Sequence, residues 1–286
     1  MQIEIKTFFD NETGTMTYVV YDKSTKKAVV IDSVLNFDIS SGSVEYRSAN
    51  LVIDYIISNK LELEWIFETH IHADHITASD YIKNKLGGKI AIGENIIEVL
   101  DYWVPLLNIS QDTSIDGSQF DMLLKDGDVL SLGASTIKVI FTPGHTPACV
   151  SYLIDSAIFV GDTIFMPDIG TARTDFPGAS SAILYQSIHK LFALDDNVQI
   201  FVGHDYPPVG REPESHVTVG AQKNHNILVH QGITQMEYVE SRTKRDYKKP
   251  VPKLLYPSLQ VNLRAGKFGN LESNGARYIK IPLHLP

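Results

Sequence analysis

The sequence predicts an α+β fold in which two similar halves pack sheet on sheet and carry their helices outside. The first observation is the order of the elements, because strands, helix, strand and helix follow one another twice along the chain. The second is the composition, since 43% hydrophobic and 21% charged residues are typical of a protein with a substantial core. With 286 residues and no low-complexity linker, we expect a single domain over residues 1–286, in which 207–286 form a helical and C-terminal extension packed on the rest.

In the first half, short apolar runs between polar turns predict the strands. These strands are Ile3–Phe9, Met16–Tyr21, Ala28–Ile31, Glu64–Glu68 and Lys89–Ile92. A loop is expected over Leu35–Arg47, and Ser48 is expected to be the N-cap of a helix that carries Leu51 to Ile57. The other predicted helices are Ile76–Leu86, which Gly87 should end, and Glu94–Leu107.

The second half repeats this pattern from Val129 onwards. Its predicted strands are Val129–Leu132, Thr136–Phe141, Cys149–Ile154, Ala157–Val160 and Gln199–Val202. A helix is predicted over Ser180–Leu194, before the last of these strands. Two further helices are predicted between His216 and Arg245, and a tail punctuated by prolines follows them. Each half therefore supplies one sheet and helices to cover it.

The most informative stretch is Thr69-His70-Ile71-His72-Ala73-Asp74-His75, directly after an apolar run. Four side chains that can bind a metal lie within six residues there. Three imidazoles and a carboxylate this close are costly to bury without partners. Neutral histidine and ionised aspartate are the forms that bind a metal. Because the spacing is not that of one helix face, we expect a metal-binding loop at the end of a strand.

Three more candidate ligands follow apolar strands, each directly after a glycine: Gly144-His145, Gly161-Asp162 and Gly203-His204. Glycine permits a sharp turn that brings the next side chain to the rim of a sheet. Taken alone, each candidate is explained equally well as an ordinary polar residue. The repeated pattern, together with the histidine-rich loop, favours one shared metal site.

Together these motifs resemble the metallo-β-lactamase superfamily over about residues 3–206. The resemblance implies a four-layer αββα sandwich with the metal site in a cleft where the sheets meet. Three segments are similar to the glutathione persulfide dioxygenases, which are relatives of glyoxalase II: Thr69–Thr77, Pro143–Cys149 and Arg173–Phe176. Mitochondrial members of that family have Gly-Cys-Gly where this chain has Gly170-Thr171-Ala172, so the shape of the pocket is expected to differ. The Tyr46–Ala49 segment looks like a bacterial branch that is often labelled only as a β-lactamase-like hydrolase.

The resemblance to persulfide dioxygenases implies one Fe(II) per chain, held by His70, His145 and Asp162. Two histidines and one carboxylate leave coordination positions open on iron for O₂ and substrate. Zinc cannot carry an oxidation because it has no redox chemistry. Dinuclear members of the superfamily use all seven matching residues, with His70, His72 and His145 on one metal, Asp74, His75 and His204 on the other, and Asp162 between them.

The resemblance therefore implies that the chain oxidises glutathione persulfide with O₂ to sulfite and glutathione, as in sulfide detoxification. His72, Asp74 and His75 would then be catalytic groups that orient the ligands and move protons, with His204 beside them. The alternative is a thioester hydrolase of the glyoxalase II kind with one or two zinc ions per chain. That alternative stays open because no ligand of either metal position is missing from the sequence.

Three other side chains have expected roles. Arg173 either binds a substrate carboxylate through both of its terminal nitrogens or pairs with Asp175 as a structural bridge, and both roles stay open. Cys149, in an apolar strand, is expected to be a small core residue rather than a nucleophile. Asp32, after the third strand, is expected to support the metal-binding loop from below.

The composition also restricts partners and location. A net charge of -9 argues against nucleic acid, because phosphate binding needs a basic face. The first residues lack a signal-peptide pattern, and no uncharged run is long enough to cross a membrane. The single cysteine fits a reducing compartment, so a cytoplasmic location is expected. Dimers are common in the resembled family, so a homodimer is one expected state.

Overall fold

The structure is a computed structural model that describes residues 2–283. Within that range, two six-stranded sheets and one three-stranded sheet form the β-structure. One hydrophobic cluster lies between the two large sheets, and one further cluster joins each large sheet to its helices. The layers therefore follow the order helix, sheet, sheet, helix, which confirms the predicted αββα sandwich.

Six strands form the first large sheet: β1 (Ile3–Asp10), β2 (Thr15–Asp22), β3 (Lys27–Ile31), β6 (Glu62–Phe67), β8 (Lys89–Gly93) and β9 (Met122–Leu124). They lie side by side in that order. β1 to β3 are antiparallel, whereas β3, β6, β8 and β9 are parallel neighbours. Because parallel strands end at the same edge, the loops after β3 and β6 leave the sheet together.

Six strands form the second large sheet in sequence order: β10 (Val129–Leu132), β11 (Ser135–Phe141), β12 (Val150–Ile154), β13 (Ala157–Phe159), β14 (Gln199–Phe201) and β15 (His216–Thr218). All neighbours are antiparallel except the parallel pair β13 and β14. Aromatic side chains of both sheets meet in the middle, where the rings of Phe67 and Tyr152 stack 4.5 Å apart. The turns after β11, β13 and β14 carry the glycine–ligand pairs of the second half.

Helices cover both outer faces. On the first sheet lie α1 (Arg47–Ser58), α2 (Ser79–Leu86), α3 (Ile96–Leu106) and α7 (Leu255–Asn262); on the second lie α4 (Ser181–Phe192), α5 (Val219–His225) and α6 (Gln235–Asp246). α1 shows the usual pattern, since Val52, Ile53 and Ile56 form its buried stripe. Gly87, at a φ of +79°, follows the end of α2 as predicted. In the described part of the chain, every helix is too short or too polar to cross a membrane.

The small sheet and the start of α1 correct three predictions. Its strands are β4 (Val34–Asp38), β5 (Ser43–Glu45) and β7 (Ile76–Thr77), in the order β5-β4-β7. The predicted loop over Leu35–Arg47 is therefore wrong in part, and α2 begins at Ser79 rather than Ile76 because Ile76 pairs with Leu35. Ser48 is not the N-cap either: it lies inside α1, and its hydroxyl donates to Asp10 Oδ2 at 2.8 Å.

The tail also differs from expectation, because α7 lies where only proline-punctuated chain was predicted. Pro257 is the third residue of α7, a position at which its missing N–H removes no hydrogen bond within the helix. Leu255 and Leu259 of this helix belong to the core beneath the first sheet. β15 pairs with β14, so residues after 206 contact both halves. That residues 1–286 form one domain with an extension remains a prediction.

Candidate metal centre

The histidine-rich loop leaves the carboxyl end of β6 and buries its imidazoles. His70 and His72 are each 1% exposed, and His75 is fully buried. The Asp74 side chain is 25% exposed. In an imidazole that is this deeply buried, both ring nitrogens need hydrogen-bond partners, or one of them must bind a metal.

Asp32 holds the first two histidines in place. Its two carboxylate oxygens accept the backbone N–H and the hydroxyl of Thr69, each at 2.8 Å. Because that hydroxyl donates to Asp32, it accepts from His70 Nδ1, 3.0 Å away. His72 Nε2 donates to Asp32 at 3.0 Å and lies 3.2 Å from Glu68. Burial alone would lower the pKa of His72, but these two carboxylates hold it well above its usual value. The expectation that Asp32 supports the loop is confirmed.

A second relay holds His75 and His204. The Nδ1 atoms of both rings lie 3.3 Å from the hydroxyl oxygen of Thr15 in β2. Thr15 lies 2.7 Å from the hydroxyl of Thr13, which in turn donates to Asp10 Oδ1 at 3.0 Å. Thr15 therefore donates toward Thr13 and has its lone pairs free to accept both imidazole N–H groups. No local pattern in the sequence indicates this relay.

Two of the glycines make close approaches that no other residue permits. Gly144 has a φ of +139°, and a Cβ there would lie 2.4 Å from Leu184 Cα. Gly161 has a φ of +48°, and a Cβ there would lie 2.1 Å from Thr69 Oγ1. Both turns are therefore left-handed and crowded, which is why glycine precedes the ligand at these places.

The seven predicted ligands converge and form two groups. Within each group, the ligand atoms all lie within 4.8 Å of one another. The first group consists of His70, His145 and Asp162, and the second consists of His72, Asp74, His75 and His204. Asp162 lies between the groups, with Oδ2 3.8 Å from His145 Nε2 and Oδ1 3.4 Å from His204 Nε2. His204 Nε2 is also 3.2 Å from Asp74 Oδ2.

The atoms that face these groups fit a metal. Within residues 2–283, five of them are buried without a hydrogen-bond partner: His70 Nε2, His72 Nδ1, His75 Nε2, His204 Nε2 and Asp162 Oδ1. In each of these imidazoles, the other nitrogen is held by a hydroxyl or a carboxylate, which fixes the ring orientation. His145 follows the same rule, because its Nδ1 donates to the Arg173 carbonyl at 2.8 Å. Imidazole and carboxylate donors suit iron or zinc better than magnesium or calcium.

The charge states of His70 and Asp74 also suit metal binding. Burial, then the neighbouring His72, lowers the pKa of His70 well below its usual value, which keeps the ring neutral. Burial would raise the pKa of Asp74, but His204 and His75 lower it well below the usual range. A neutral imidazole and an ionised carboxylate are the forms that bind a metal.

Arg173 is used within the protein. Its Nε and one terminal nitrogen donate to Asp175 at 2.6 and 2.7 Å. The guanidinium also donates to the carbonyls of Pro250 and Lys249, and it lies 5.0 Å from the centre of the Phe176 ring. These are the contacts of a structural bridge. Substrate binding by Arg173 remains a prediction that its contacts do not favour.

Cys149 is 2% exposed, and its Sγ lies 3.1 Å from the hydroxyl oxygen of Thr146. Burial raises the pKa of its thiol to about 12. The thiol is therefore neutral at physiological pH, and the expectation of a core residue rather than a nucleophile is confirmed.

Supporting residues that escaped the sequence analysis include Asp10, Thr15, Tyr206 and Asn262. Tyr206 follows the His204 turn and stacks on that imidazole, with ring centres 5.6 Å apart. Desolvation, then the charges of Asp74 and Asp162, raises the pKa of its hydroxyl well above the usual value. Tyr206 therefore covers one face of a candidate ligand with its ring and keeps its hydroxyl protonated.

Comparison with known families agrees with this geometry. The model of the metallo-beta-lactamase superfamily matches residues 11–204, which include all seven converging side chains. The chain belongs to the metallo-beta-lactamase superfamily. Members of this superfamily are enzymes, and the histidine and aspartate side chains described above have the composition of a metal site.

Relatives within the superfamily have different names. The chain is 43% identical over 289 residues to a probable metallo-hydrolase of Burkholderia pseudomallei, covering 98% of each protein. It is 45% identical over 279 residues to a beta-lactamase hydrolase-like protein of Agrobacterium fabrum, where 98% of this chain spans only 64% of the relative's length. It is 32% identical over 205 residues to the mitochondrial persulfide dioxygenase ETHE1 of Bos taurus, covering 71% and 68% of the two chains.

Among solved structures, the chain resembles the crystal structure of ETHE1 from Myxococcus xanthus. The TM-score is 0.74 at 28% sequence identity, and the match covers 92% of this chain and 100% of the other. The superfamily is thus established, while its relatives include both hydrolase and dioxygenase names.

Proposed function

We propose that the protein is an iron-dependent persulfide dioxygenase that oxidises glutathione persulfide with O₂. The balanced reaction consumes one persulfide, one O₂ and one water, and yields glutathione, sulfite and two protons. The terminal sulfur is oxidised, O₂ is reduced, and the bond between the two sulfurs breaks as water enters. The similarity to persulfide dioxygenases in sequence and to an ETHE1 crystal structure supports this reaction class.

The observation that carries the proposal is the separate group formed by His70, His145 and Asp162. Two imidazoles and one carboxylate are the ligand set of non-haem iron enzymes that use O₂. Iron(II) held there would supply the redox chemistry that the oxidation needs. The chain itself supplies orientation: Asp32, through Thr69, fixes the ring of His70, as the Arg173 carbonyl does for His145.

Two cavities border the candidate ligands, and the larger of them, together with the cavity next to it, suits a tripeptide substrate. A cavity of about 20 Å³ beside His145 is lined mainly by apolar side chains and is too small for glutathione. A cavity of about 120 Å³ reaches Asp74 and adjoins a second of about 270 Å³. The walls of the two cavities share four residues: Glu12, Asn36, Phe37 and Lys253. We propose that the peptide part of the substrate lies along this cleft, with its persulfide toward the metal groups.

Lys253 is the residue we expect to recognise this substrate. It lies in both cavities of the cleft, and it forms no ion pair or hydrogen bond with the described residues. Arg47, the other cation in the wall, is already paired with Glu12 and Glu45. Glutathione has two carboxylates, so a free ammonium group at the cleft can bind one of them.

Two measurements test the proposed function. Protein purified without added metal should contain about one iron per chain and should consume O₂ in an oxygen electrode when glutathione persulfide is added. Sulfite and glutathione should form in equal amounts. A protein that contains two zinc ions, cleaves glutathione thioesters and consumes no O₂ would overturn the proposal.

The second candidate function is a dinuclear thioester hydrolase. It is favoured by the second group of His72, Asp74, His75 and His204, whose inward nitrogens have no hydrogen-bond partner within the described range. The name of the Burkholderia pseudomallei relative points the same way. In such an enzyme, the two groups of side chains would hold two metals, which would supply an activated water for attack on the thioester carbonyl. In the leading proposal, these four residues instead orient the iron ligands and move protons.

A further inference from the structure

The segment after residue 204, where the match to the superfamily model ends, contacts the loops that carry the candidate ligands. Two of its helices, α6 and α7, reach the loops that carry the ligands. Each helix does so with a buried polar side chain: Asp246 from α6 and Asn262 from α7. These contacts join the extension to the candidate ligands at separate places.

Asn262 clamps the histidine-rich loop. Its side-chain nitrogen donates to the backbone carbonyls of His72 and His75, both at 2.9 Å. Its side-chain oxygen accepts the backbone N–H of Thr77, also at 2.9 Å. The residue is 2% exposed, so water cannot replace these three bonds. A single amide thereby fixes the backbone on both sides of Asp74.

Asp246 clamps the loop after Asp162. Its Oδ2 accepts the backbone N–H of Thr174 at 2.8 Å. Arg242, which pairs with Asp246, donates to the Thr171 carbonyl at 3.0 Å. Both side chains are at least 94% buried, so this pair is fixed by its surroundings. The carbonyl between these contacts belongs to Arg173 and is the group that accepts the N–H of His145.

We propose that Asn262 and Asp246 are positioning residues of the metal centre, and that the extension therefore helps to build the centre. Asn262 acts through the backbone of His72 and His75, and Asp246 acts through the carbonyl that orients His145. The inference rests on the metal site proposed above but not on the reaction that the site performs. Loss of such supporting contacts typically costs 10- to 100-fold in metal affinity.

The test compares Asn262→Ala and Asp246→Asn with Gln119→Ala. Gln119 is the matched control because its side chain donates to the Leu263 carbonyl at 2.7 Å, at the end of the same helix, without touching a ligand loop. For each purified protein, the affinity for Co²⁺ is measured by competition with a chelator, and the unfolding temperature is measured on the metal-free form. Asn262→Ser, which retains one donor, serves if the alanine variant does not fold.

The expected result is a loss of Co²⁺ affinity of about 10-fold or more in Asn262→Ala and Asp246→Asn, and a change within about twofold in Gln119→Ala. Asn262→Ser should retain part of the affinity. The inference is overturned if the affinities of the first two variants stay within twofold of the unsubstituted protein, or if Gln119→Ala falls as far. Unsubstituted protein that binds no Co²⁺ would overturn the metal site itself, and an absence of O₂ uptake alone would leave this inference standing.

Discussion

Substituting Thr15 by valine should weaken one metal-binding group and spare the other. Valine has the shape of threonine without the hydroxyl, and Thr15 is 1% exposed, so the change opens no cavity. The lost oxygen is the acceptor for the Nδ1–H of His204 and the nearer acceptor for that of His75, and both residues belong to the second group. His75 Nδ1 also lies 3.4 Å from Asp74 Oδ2, but that oxygen is itself a candidate metal ligand and does not replace the hydroxyl. The first group, by contrast, is held through Asp32 and the Arg173 carbonyl.

The magnitude follows from those two contacts. A metal on Nε2 requires the proton on Nδ1, whereas a metal-free imidazole can move its proton to the other nitrogen. The penalty of the missing acceptor therefore falls mainly on the metal-bound state. Both contacts are long, at 3.3 Å, so we take about 1 kcal/mol for each. The sum of about 2 kcal/mol corresponds to about a 30-fold loss of affinity.

Titration of metal-free protein with Co²⁺, followed by visible absorption, measures this effect. We expect the second equivalent to bind about 30-fold more weakly in Thr15→Val and the first to change by less than about twofold. Thr113→Val, at a buried threonine whose hydroxyl donates to Asp112, is the control and should leave both equivalents unchanged. A thirtyfold loss at the first equivalent, or an unchanged second one, would refute the reasoning.

Three other outcomes are expected. Lys253→Ala should raise KM for glutathione persulfide about fivefold at unchanged kcat, since an exposed ion pair contributes up to about 1 kcal/mol. Lys125→Ala, at another exposed lysine, is the control and should leave KM unchanged. Equal KM values for Lys253→Ala and the unsubstituted protein in steady-state O₂ uptake would rule out this contact. Cys149, whose pKa is raised to about 12, should resist a thiol reagent at pH 8 in the native protein and react fully after denaturation; rapid native labelling would contradict its burial. Gly161→Ala should lower the free energy of unfolding by about 1–3 kcal/mol, because the added Cβ would clash with Thr69 Oγ1. An unchanged melting temperature would disprove that clash.

The sequence predicted the main layers because their signals are local. Apolar runs between turns identify the large strands, and Gly87 marks the end of α2. The small sheet was missed because Leu35 pairs with Ile76, 41 residues later, and each partner looks like loop or helix by itself. α7 was missed because Pro257 suggested a break, although proline is compatible with the first turn of a helix.

The same distinction applies to the metal centre. Its seven candidate ligands follow strands in recognisable motifs, and the structure brings all of them together. Thr15 has no such signature, because its role depends on two imidazoles that lie 60 and 189 residues away in sequence. Asn262 acts across 187 and 190 residues, through carbonyls that every residue has. Contacts of this kind follow from the folded chain and not from any local pattern.

The candidate ligands come from both halves of the sandwich. His70, His72, Asp74 and His75 follow a strand of the first large sheet, whereas His145, Asp162 and His204 follow strands of the second. An ion bound by both sets would be a noncovalent crosslink over the seam between the sheets, and its binding free energy would add to their cohesion. Protein treated with a chelator should therefore melt at a lower temperature than untreated protein. Its backbone amides should exchange faster with deuterium along that seam than at the outer edges of the sheets.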